Sequence, residues 1–587
     1  MDQLENGLDY RSLLQASKHL DPALAPHKLR LALLSDAATQ RFVPLLRTLF
    51  HRRGVDAEIY EAPFDAVEME AYDANSGLYR FDPDAIAILN AVQAFRAARD
   101  DSPEAAFAAT AAARIAKIWD ALQAHSRATI VQSNFVLPYE RFFGNFDHHV
   151  PESFYATVAA LNAHIVESAR SRRGILINDL DAVASWAGRR QWFDDRLWDM
   201  AKYLCALDLM PLVARNLVDI VMSTRGRVIK CVIVDLDNTL WGGVIGDDGL
   251  EGIRLNSHGE DAAFYRLQKF LKGLVRRGIV LAVCSKNDMA NALLPFEKHP
   301  SMALRRDDIA VFVANWKDKA ENIRSIRDTL NIGFDSMVFL DDNPFERNLV
   351  RQLLPEVAVP ELPEDPADYV REISCLNLFE TSSYSIEDSQ RAELYRLEDA
   401  RRQSQAQFAN LDEFLASLDM RITVARFDPF HLPRIAQLMQ RSNQFNLTTR
   451  RLAEAECAAL MTDPCAIPLY AKLSDRLGDH GLISIVVLDR RAGDLAISDW
   501  LMSCRVLGRG VEQFLMNRVF EEAARLGAEQ VTGEFLPTSK NAMVKDFFAR
   551  FGFAKVAEDS RGATRWSLTP AAYRPNRTWI SPAPATP

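Results

Sequence analysis

What the chain lacks narrows it first. Its 587 residues include only seven cysteines, at 205, 231, 284, 375, 457, 465 and 504, odd in number and without a C-x-x-C pair. That pattern excludes a disulfide scaffold and a zinc ribbon, and it fits free thiols in a reducing compartment. No apolar run approaches the roughly 20 residues of a membrane span. The opening MDQLENGLDYRS has no basic-then-apolar targeting pattern. A cytoplasmic protein without a membrane partner is expected. Basic residues are outnumbered, 69 Lys and Arg against 79 Asp and Glu, for a net charge of −10. A general nucleic-acid binder would be basic, so nucleic acid is not an expected partner. An acidic carrier protein stays open, because a local basic patch would serve it. There are no internal repeats.

What is present is ordinary globular composition, 48% hydrophobic and 25% charged, at a length that implies roughly three or four domains. Strand-like runs at Leu29–Leu34, Val55–Tyr60 and 128–131 alternate with helical patterns, which predicts an α/β unit over 1–225. A second unit, 226–375, has strands over 228–234, 279–284, 311–313, 337–340 and 357–359, separated by helical patterns over 260–277, 319–330 and 345–353. That is a doubly wound arrangement. The third unit, 376–573, opens with a polar helical connector over 385–418 and continues as strand, two helices, strands, glycine loop, helix, strand and helix. The tail, 574–587, rich in Pro, Thr and Ala, is expected to be disordered.

The second unit carries the chemistry. Its first strand, Val232-Ile233-Val234, feeds Asp235-Leu236-Asp237-Asn238-Thr239, then Trp241-Gly242-Gly243. Strand alternation turns residues 235 and 237 the same way. Two carboxylates at the C-terminal edge of a parallel sheet suit Mg²⁺ and a phosphate, one as nucleophile and the other as general acid/base. Three further signals follow in order. Ser285 ends the next buried strand, in Cys284-Ser285-Lys286-Asn287, and offers a hydroxyl and an N–H to a phosphate oxygen. Lys319 opens a helix, with Lys317 as second choice, and would neutralise charge on nucleophile and phosphate. Asp341 and Asp342 end a later strand and complete a shell of hard oxygens.

This order of motifs resembles the haloacid dehalogenase (HAD) superfamily. The resemblance implies Asp235 as nucleophile, Asp237 as acid/base, Ser285 on the phosphate, Lys319 as the motif lysine, and Mg²⁺ among Asp235, Asp237, Asp341 and Asp342. Only about 45 residues lie between Asp237 and Ser285, room for a glycine-rich flap and one helix but no large cap. A capless site admits a bulky or protein-bound substrate. The run Leu240-Trp241-Gly242-Gly243-Val244-Ile245-Gly246-Asp247-Asp248-Gly249, with Cys284–Asn287 and Phe339–Pro344, is similar to the FkbH-like branch. That resemblance implies an enzyme taking a glyceryl unit from 1,3-bisphosphoglycerate, dephosphorylating it and loading it onto an acyl carrier protein in polyketide-type biosynthesis. Such chemistry wants an acyl-carrying thiol. Cys284, beside Ser285 and Lys286, is the first candidate, its pKa expected to be lowered by ammonium and helix N-terminus; Cys504, beside Arg505, is the second.

In the third unit Arg505-Val506-Leu507-Gly508-Arg509-Gly510 has the spacing of a loop whose N–H groups grip a pyrophosphate. With Asn541 and Phe547–Phe553 it resembles the Gcn5-related N-acetyltransferase (GNAT) fold, α+β. Docking of a phosphopantetheine arm by Arg505, Gly508 and Gly510, true acetyl transfer, and scaffolding are the three readings. In the first unit Ser35-Asp36 and Asp195-Arg196-Leu197-Trp198 resemble an SGNH-like hydrolase fold with tryptophan in place of the histidine base, so Ser35 lacks an activator and a non-hydrolytic domain is expected. The rivals to glyceryl loading are a plain phosphatase on a small metabolite, a carrier-binding scaffold and an acyl-CoA acyltransferase.

Overall fold

The computed structural model describes residues 8–100, 107–384, 408, 410–442, 444–476, 478–491, 493–503, 506–538 and 541–583. Most of the expected connector, 385–407 and 409, lies outside these residues, as do Cys504 and Arg505. The chain forms two compact units that part between Thr224 and Arg225.

The first unit is built on β1 (His27–Ser35), β2 (Val55–Glu61), β3 (Ala85–Leu89), β4 (Thr129–Ser133) and β5 (Ile175–Asn178). All pair in parallel, in the order β2-β1-β3-β4-β5. Alternation along β1 feeds two cores: Leu29, Leu31 and Leu33 enter one, Ala32 and Leu34 the other. β3 and β5 are not among the strands read from sequence. Their five- and four-residue apolar runs are too short to be told from buried helix by periodicity.

The second compact unit begins with β6 (Cys231–Val234), β7 (Val280–Ser285), β8 (Val311–Ala314) and β9 (Met337–Leu340), a parallel sheet in the order β8-β7-β6-β9. Again alternate residues divide between two faces. Val232, Val234, Leu281, Val283, Val338 and Leu340 pack with Leu267 and Leu271 of helix Ala262–Arg276. Ile233, Ala282, Cys284 and Phe339 pack with Ile323 and Ile326 of helix Lys319–Leu330. The expected strand over 357–359 is reduced to a single bridge, Val338 to Ala358, cut short by Pro360.

An eight-stranded sheet follows in the same unit: β10 (Met420–Arg426), β11 (Ala466–Asp475), β12 (Gly478–Arg491), β13 (Asp494–Met502), β14 (Gln530–Phe535), β15 (Ala554–Glu558), β16 (Thr564–Leu568) and β17 (Ile580–Pro582), in the order β15-β16-β14-β13-β12-β11-β10-β17. Only β13–β14 and β10–β17 run parallel. β17 corrects the expectation of a disordered tail. Ile580 is buried in the core and pairs with Met420, and Trp579 Nε1 donates to Asp412, so the tail carries enough apolar surface to order itself.

Candidate active site

The C-terminal ends of β6, β7 and β9 and the turn after β8 converge on one polar cluster. Lys319, the first residue of its helix, is almost fully buried, and its Nζ lies 2.9 Å from Asp235 Oδ2 while also donating to Asp341 Oδ2. Burial alone would push this ammonium down, but Asp235 and Asp341 outweigh that and hold it above the ordinary lysine range. Lys317 turns outward to Glu321 at 2.6 Å. Carboxylate oxygens of Asp235, Asp341 and Asp342 approach within 4.8 Å of one another. Burial, and then Asp235, raise Asp341 to about 7; burial also raises Asp342. Three carboxylates thus face one ammonium. Asp235 Oδ1 is buried and meets no hydrogen-bond donor among the described residues. A hard divalent cation fits this donor set, since it supplies the missing positive charge and uses the orphaned lone pairs.

Asp237 does not join the cluster of metal-capable oxygens, which corrects its expected place among the ligands. Its Oδ1 accepts from Trp241 Nε1 at 2.9 Å and from the Ile245 N–H at 3.0 Å, and its Oδ2 accepts from Asn287 Nδ2 at 3.0 Å. Burial nevertheless raises its carboxyl, which suits a proton-holding group. Ser285 ends β7, buried, on the strand face opposite to Cys284.

Cys284 is corrected too. Alternation along β7 sends it away from the polar cluster, under helix Lys319–Leu330, where Sγ lies 3.8 Å from the Lys319 carbonyl. Burial pushes its thiol up, not down, against the expected lowering. Cys231 is buried on the same face.

Several residues without an assigned role hold the site. Thr239 Oγ1 donates to Asp342 Oδ1 at 3.1 Å and accepts from the Asp342 N–H. Arg347 is buried and donates to the carbonyls of Asp341 (2.8 Å) and Asp342 (2.6 Å). Lys286 pairs with Glu346 at 2.6 Å. Asn287 was legible only as part of a motif; Arg347 gives no sequence signal, because its role depends on the helix after β9 folding back. Trp316 and Phe345, one just past β8 and one just past β9, are 72% and 67% exposed. The flap closes over backbone: Arg254 stacks so tightly on Gly242 that a Cβ there would meet its Nη2 at 3.0 Å.

In the last sheet Gly508 and Gly510 adopt left-handed φ of +74° and +84°, and Gly510 caps helix Val511–Leu526. In the first unit Ser35 Oγ is consumed by the Leu89 carbonyl (2.9 Å) and the Ala37 N–H (2.9 Å). Asp195 accepts from Tyr139 Oη at 2.7 Å, far from the role of a triad acid.

A doubly wound, capless parallel sheet with a lysine bridging two strand-end aspartates defines a HAD-like phosphatase domain. The family described as FkbH, N-terminal domain, matches residues 30–222. The N-terminal part of the protein BF1531 from Bacteroides fragilis, which contains a phosphatase domain and was solved with Mg, shares 38% identity with this chain, covering 64% of it and 99% of that structure, at a TM-score of 0.61. The chain therefore belongs to the FkbH-like family, with an enzyme's phosphatase-type domain at its centre. The last sheet gives the chain its GNAT-like part: a parallel β13–β14 pair precedes and follows the glycine loop and its helix. Matches there include the ribosomal-protein-S18-alanine N-acetyltransferase from Escherichia coli (13% identity, 25% of this chain, 93% of that one, TM-score 0.20) and spermidine N-acetyltransferase from Vibrio cholerae (15%, 26%, 98%, 0.21); at such scores they add nothing to the topology. No curated protein matches the chain. Among the described residues no helix is long and apolar enough to cross a membrane.

Proposed function

We propose that this protein is a Mg²⁺-dependent glyceryl transferase and phosphatase that delivers a dephosphorylated glyceryl unit to the phosphopantetheine thiol of an acyl carrier protein. The observation that carries the phosphatase half is the Lys319 bridge between Asp235 and Asp341, beside the unanswered Asp235 Oδ1. Asp235, Asp341 and Asp342 are the residues that hold Mg²⁺, which supplies charge compensation for a phosphate dianion. Asp235 attacks phosphorus of the phosphate monoester, and the alkoxide leaves with a proton from Asp237, which Trp241, Ile245 and Asn287 hold in place. Water, deprotonated by Asp237, then releases phosphate and restores Asp235. Lys319 and Ser285 offset the charge on the transferring group.

For the transfer half, a thiolate attacks the acyl phosphate carbonyl and expels inorganic phosphate. Cys284 is too deeply packed for this step, so the thiol is that of the carrier itself or Cys504. The open rim, with Trp316 and Phe345 outward, favours a substrate delivered on a protein over a small polar metabolite alone.

The test is intact-protein mass spectrometry after incubation with 1,3-bisphosphoglycerate and Mg²⁺, with and without a holo acyl carrier protein. The reading requires a glyceryl mass on the carrier. Free phosphate with no acylated protein would leave a plain phosphatase instead.

A further inference from the structure

β13 and β14 pair in parallel only from Asp494 to Ile497 against Gln530 to Gly533. A bulge at Ser498, where the β12 register slips, then turns β13 away. Past the bulge the Trp500 carbonyl and the Met502 N–H face the widening gap. Unpaired strand-edge groups of this kind attract an extended chain bearing amides, and the two amides of a pantetheine arm would suit them. The glycine loop at one end of the gap would receive the attached phosphates.

The gap is already filled by the protein's own chain. The Leu447 N–H donates to the Trp500 carbonyl at 3.0 Å, and the Met502 N–H donates to the Phe445 carbonyl at 3.0 Å. On the other side the Leu536 N–H, just past β14, donates to the Leu447 carbonyl at 2.9 Å. Asn541 Nδ2 clamps the insert, donating to the carbonyls of Asn446 and Leu536, both at 2.9 Å. The insert is anchored, not merely laid in place. Phe445 and Leu447 are buried in the core, Phe445 edge-on to Phe547 at 5.4 Å. Thr448 donates to buried Asp499 at 2.9 Å, and Arg451 donates to the carbonyls of Met439, Gln440 and Ser442 at the end of the preceding helix.

The loop end is closed as well. Burial raises the carboxyl of Glu512, in the first turn of helix Val511–Leu526, while the backbone N–H groups of Glu512 and Gly508 act to lower it, and its Oε2 is buried without a hydrogen-bond partner among the described residues. Arg509 turns inward to the buried pair of Asp475 and His480 instead of outward to an anion. A buried carboxyl group therefore lies beside the glycine loop, where the loop N–H groups would have to receive a pyrophosphate.

We infer that the GNAT-like part is sealed: residues 445–447 permanently occupy its cofactor cleft as an internal strand, so it takes neither coenzyme A nor the pantetheine arm of a carrier. This overturns the pantetheine-docking role that the Arg-x-x-Gly-x-Gly spacing suggests for Gly508 and Gly510. It holds whatever the substrate of the Asp235 site.

The experiment is hydrogen–deuterium exchange on the full-length protein, read on peptides spanning 444–449, 500–503 and 534–538, alone and with millimolar coenzyme A or acetyl-coenzyme A, beside calorimetric titration with the same compounds. The amides of Leu447, Met502 and Leu536 should exchange in the slowest class, unchanged by either compound, and no saturable heat should appear. Saturable binding to the wild-type protein, or loss of protection at Leu447 on adding coenzyme A, overturns the inference. Glu512→Gln separates the two closures. It removes the negative charge but keeps the inserted strand, so it should still bind no coenzyme A; binding by this variant would show that the strand does not close the cleft.

Discussion

Two aspartates hold equivalent places in two different sheets. Asp36 follows β1 of the first unit and Asp235 follows β6 of the second, each at the C-terminal end of a buried parallel strand. Their surroundings differ. Both oxygens of Asp36 are answered by neutral donors: Ala91 N–H at 2.7 Å and Asn90 Nδ2 at 2.9 Å. Asp235 faces an ammonium with one oxygen and, among the described residues, has no hydrogen-bond partner for the other. Burial raises Asp36 from 3.8 to about 7, so it holds its proton well above the ordinary aspartate range. The lesson is that a strand-end carboxylate becomes a reactive site when the fold leaves it a spare lone pair and a cation, not because of its place on the sheet.

The largest break in this comparison comes from Asp235→Asn. It keeps the shape but removes the proposed nucleophile and one metal-capable oxygen, so phosphate release should fall by roughly 10³-fold or more. The check is steady-state phosphate release beside a thermal melt. A variant that keeps a tenth of wild-type turnover would remove Asp235 from the chemistry.

Lys319→Met should follow. It leaves Asp235 and Asp341 buried without their counter-ion, a loss of about 3 kcal/mol by the behaviour of broken buried ion pairs. Mg²⁺ should recover part of this if the three carboxylates bind it. Melts in chelator and in Mg²⁺ should therefore differ more for Lys319→Met than for wild type. Equal differences would argue against a cation between Asp235, Asp341 and Asp342.

Asp36 gives the opposite sign. The unfolded chain ionises it near 3.8 and the folded chain near 7, so between those values the folded state binds more protons. The first unit should lose stability as pH rises through that window, by up to about 4 kcal/mol at about 1.4 kcal/mol per pH unit. Protection factors at Leu31–Leu34, corrected for the intrinsic pH dependence of amide exchange, should fall from pH 4 to 8 in wild type and stay flat in Asp36→Asn. A flat wild-type profile would mean that Asp36 ionises normally.

Sequence made the second sheet and its aspartates legible because β6 and β9 are apolar runs stopped by Asp and β7 is one stopped by Ser285, and helical periodicity of 3.6 between them places a lysine at a helix start. It did not separate ligand from acid/base. The difference between Asp235 and Asp237 lies in Trp241 Nε1 and Asn287, whose positions depend on the flap and on the turn after β7. It gave no sign of the segment 445–447 that bonds to the Trp500 carbonyl and the Met502 N–H, because that segment lies more than 50 residues upstream in the chain and matches no periodicity. The tail was misread for a related reason. Low average hydropathy hid Trp579 and Ile580, and two apolar residues suffice when an unpaired strand edge is waiting.

The smallest expected effect belongs to Cys284, and it sharpens the comparison from the other side of the sheet. Cys284 is as near in sequence to Ser285 as a residue can be, yet alternation places its sulfur among Ile323, Ala282 and Phe339. Desolvation holds the thiol protonated, and a protonated thiol neither attacks an acyl phosphate nor leaves as a thiolate. Cys284→Ala should therefore cost about 1 kcal/mol of stability through a small cavity and leave phosphate release and glyceryl loading of a carrier within roughly twofold of wild type. Both are measurable in the same reaction, by released phosphate and by the carrier's mass. If Cys284→Ala abolished loading while phosphate release survived, the sulfur would have to reach the polar face, and β7 would have to rearrange during turnover.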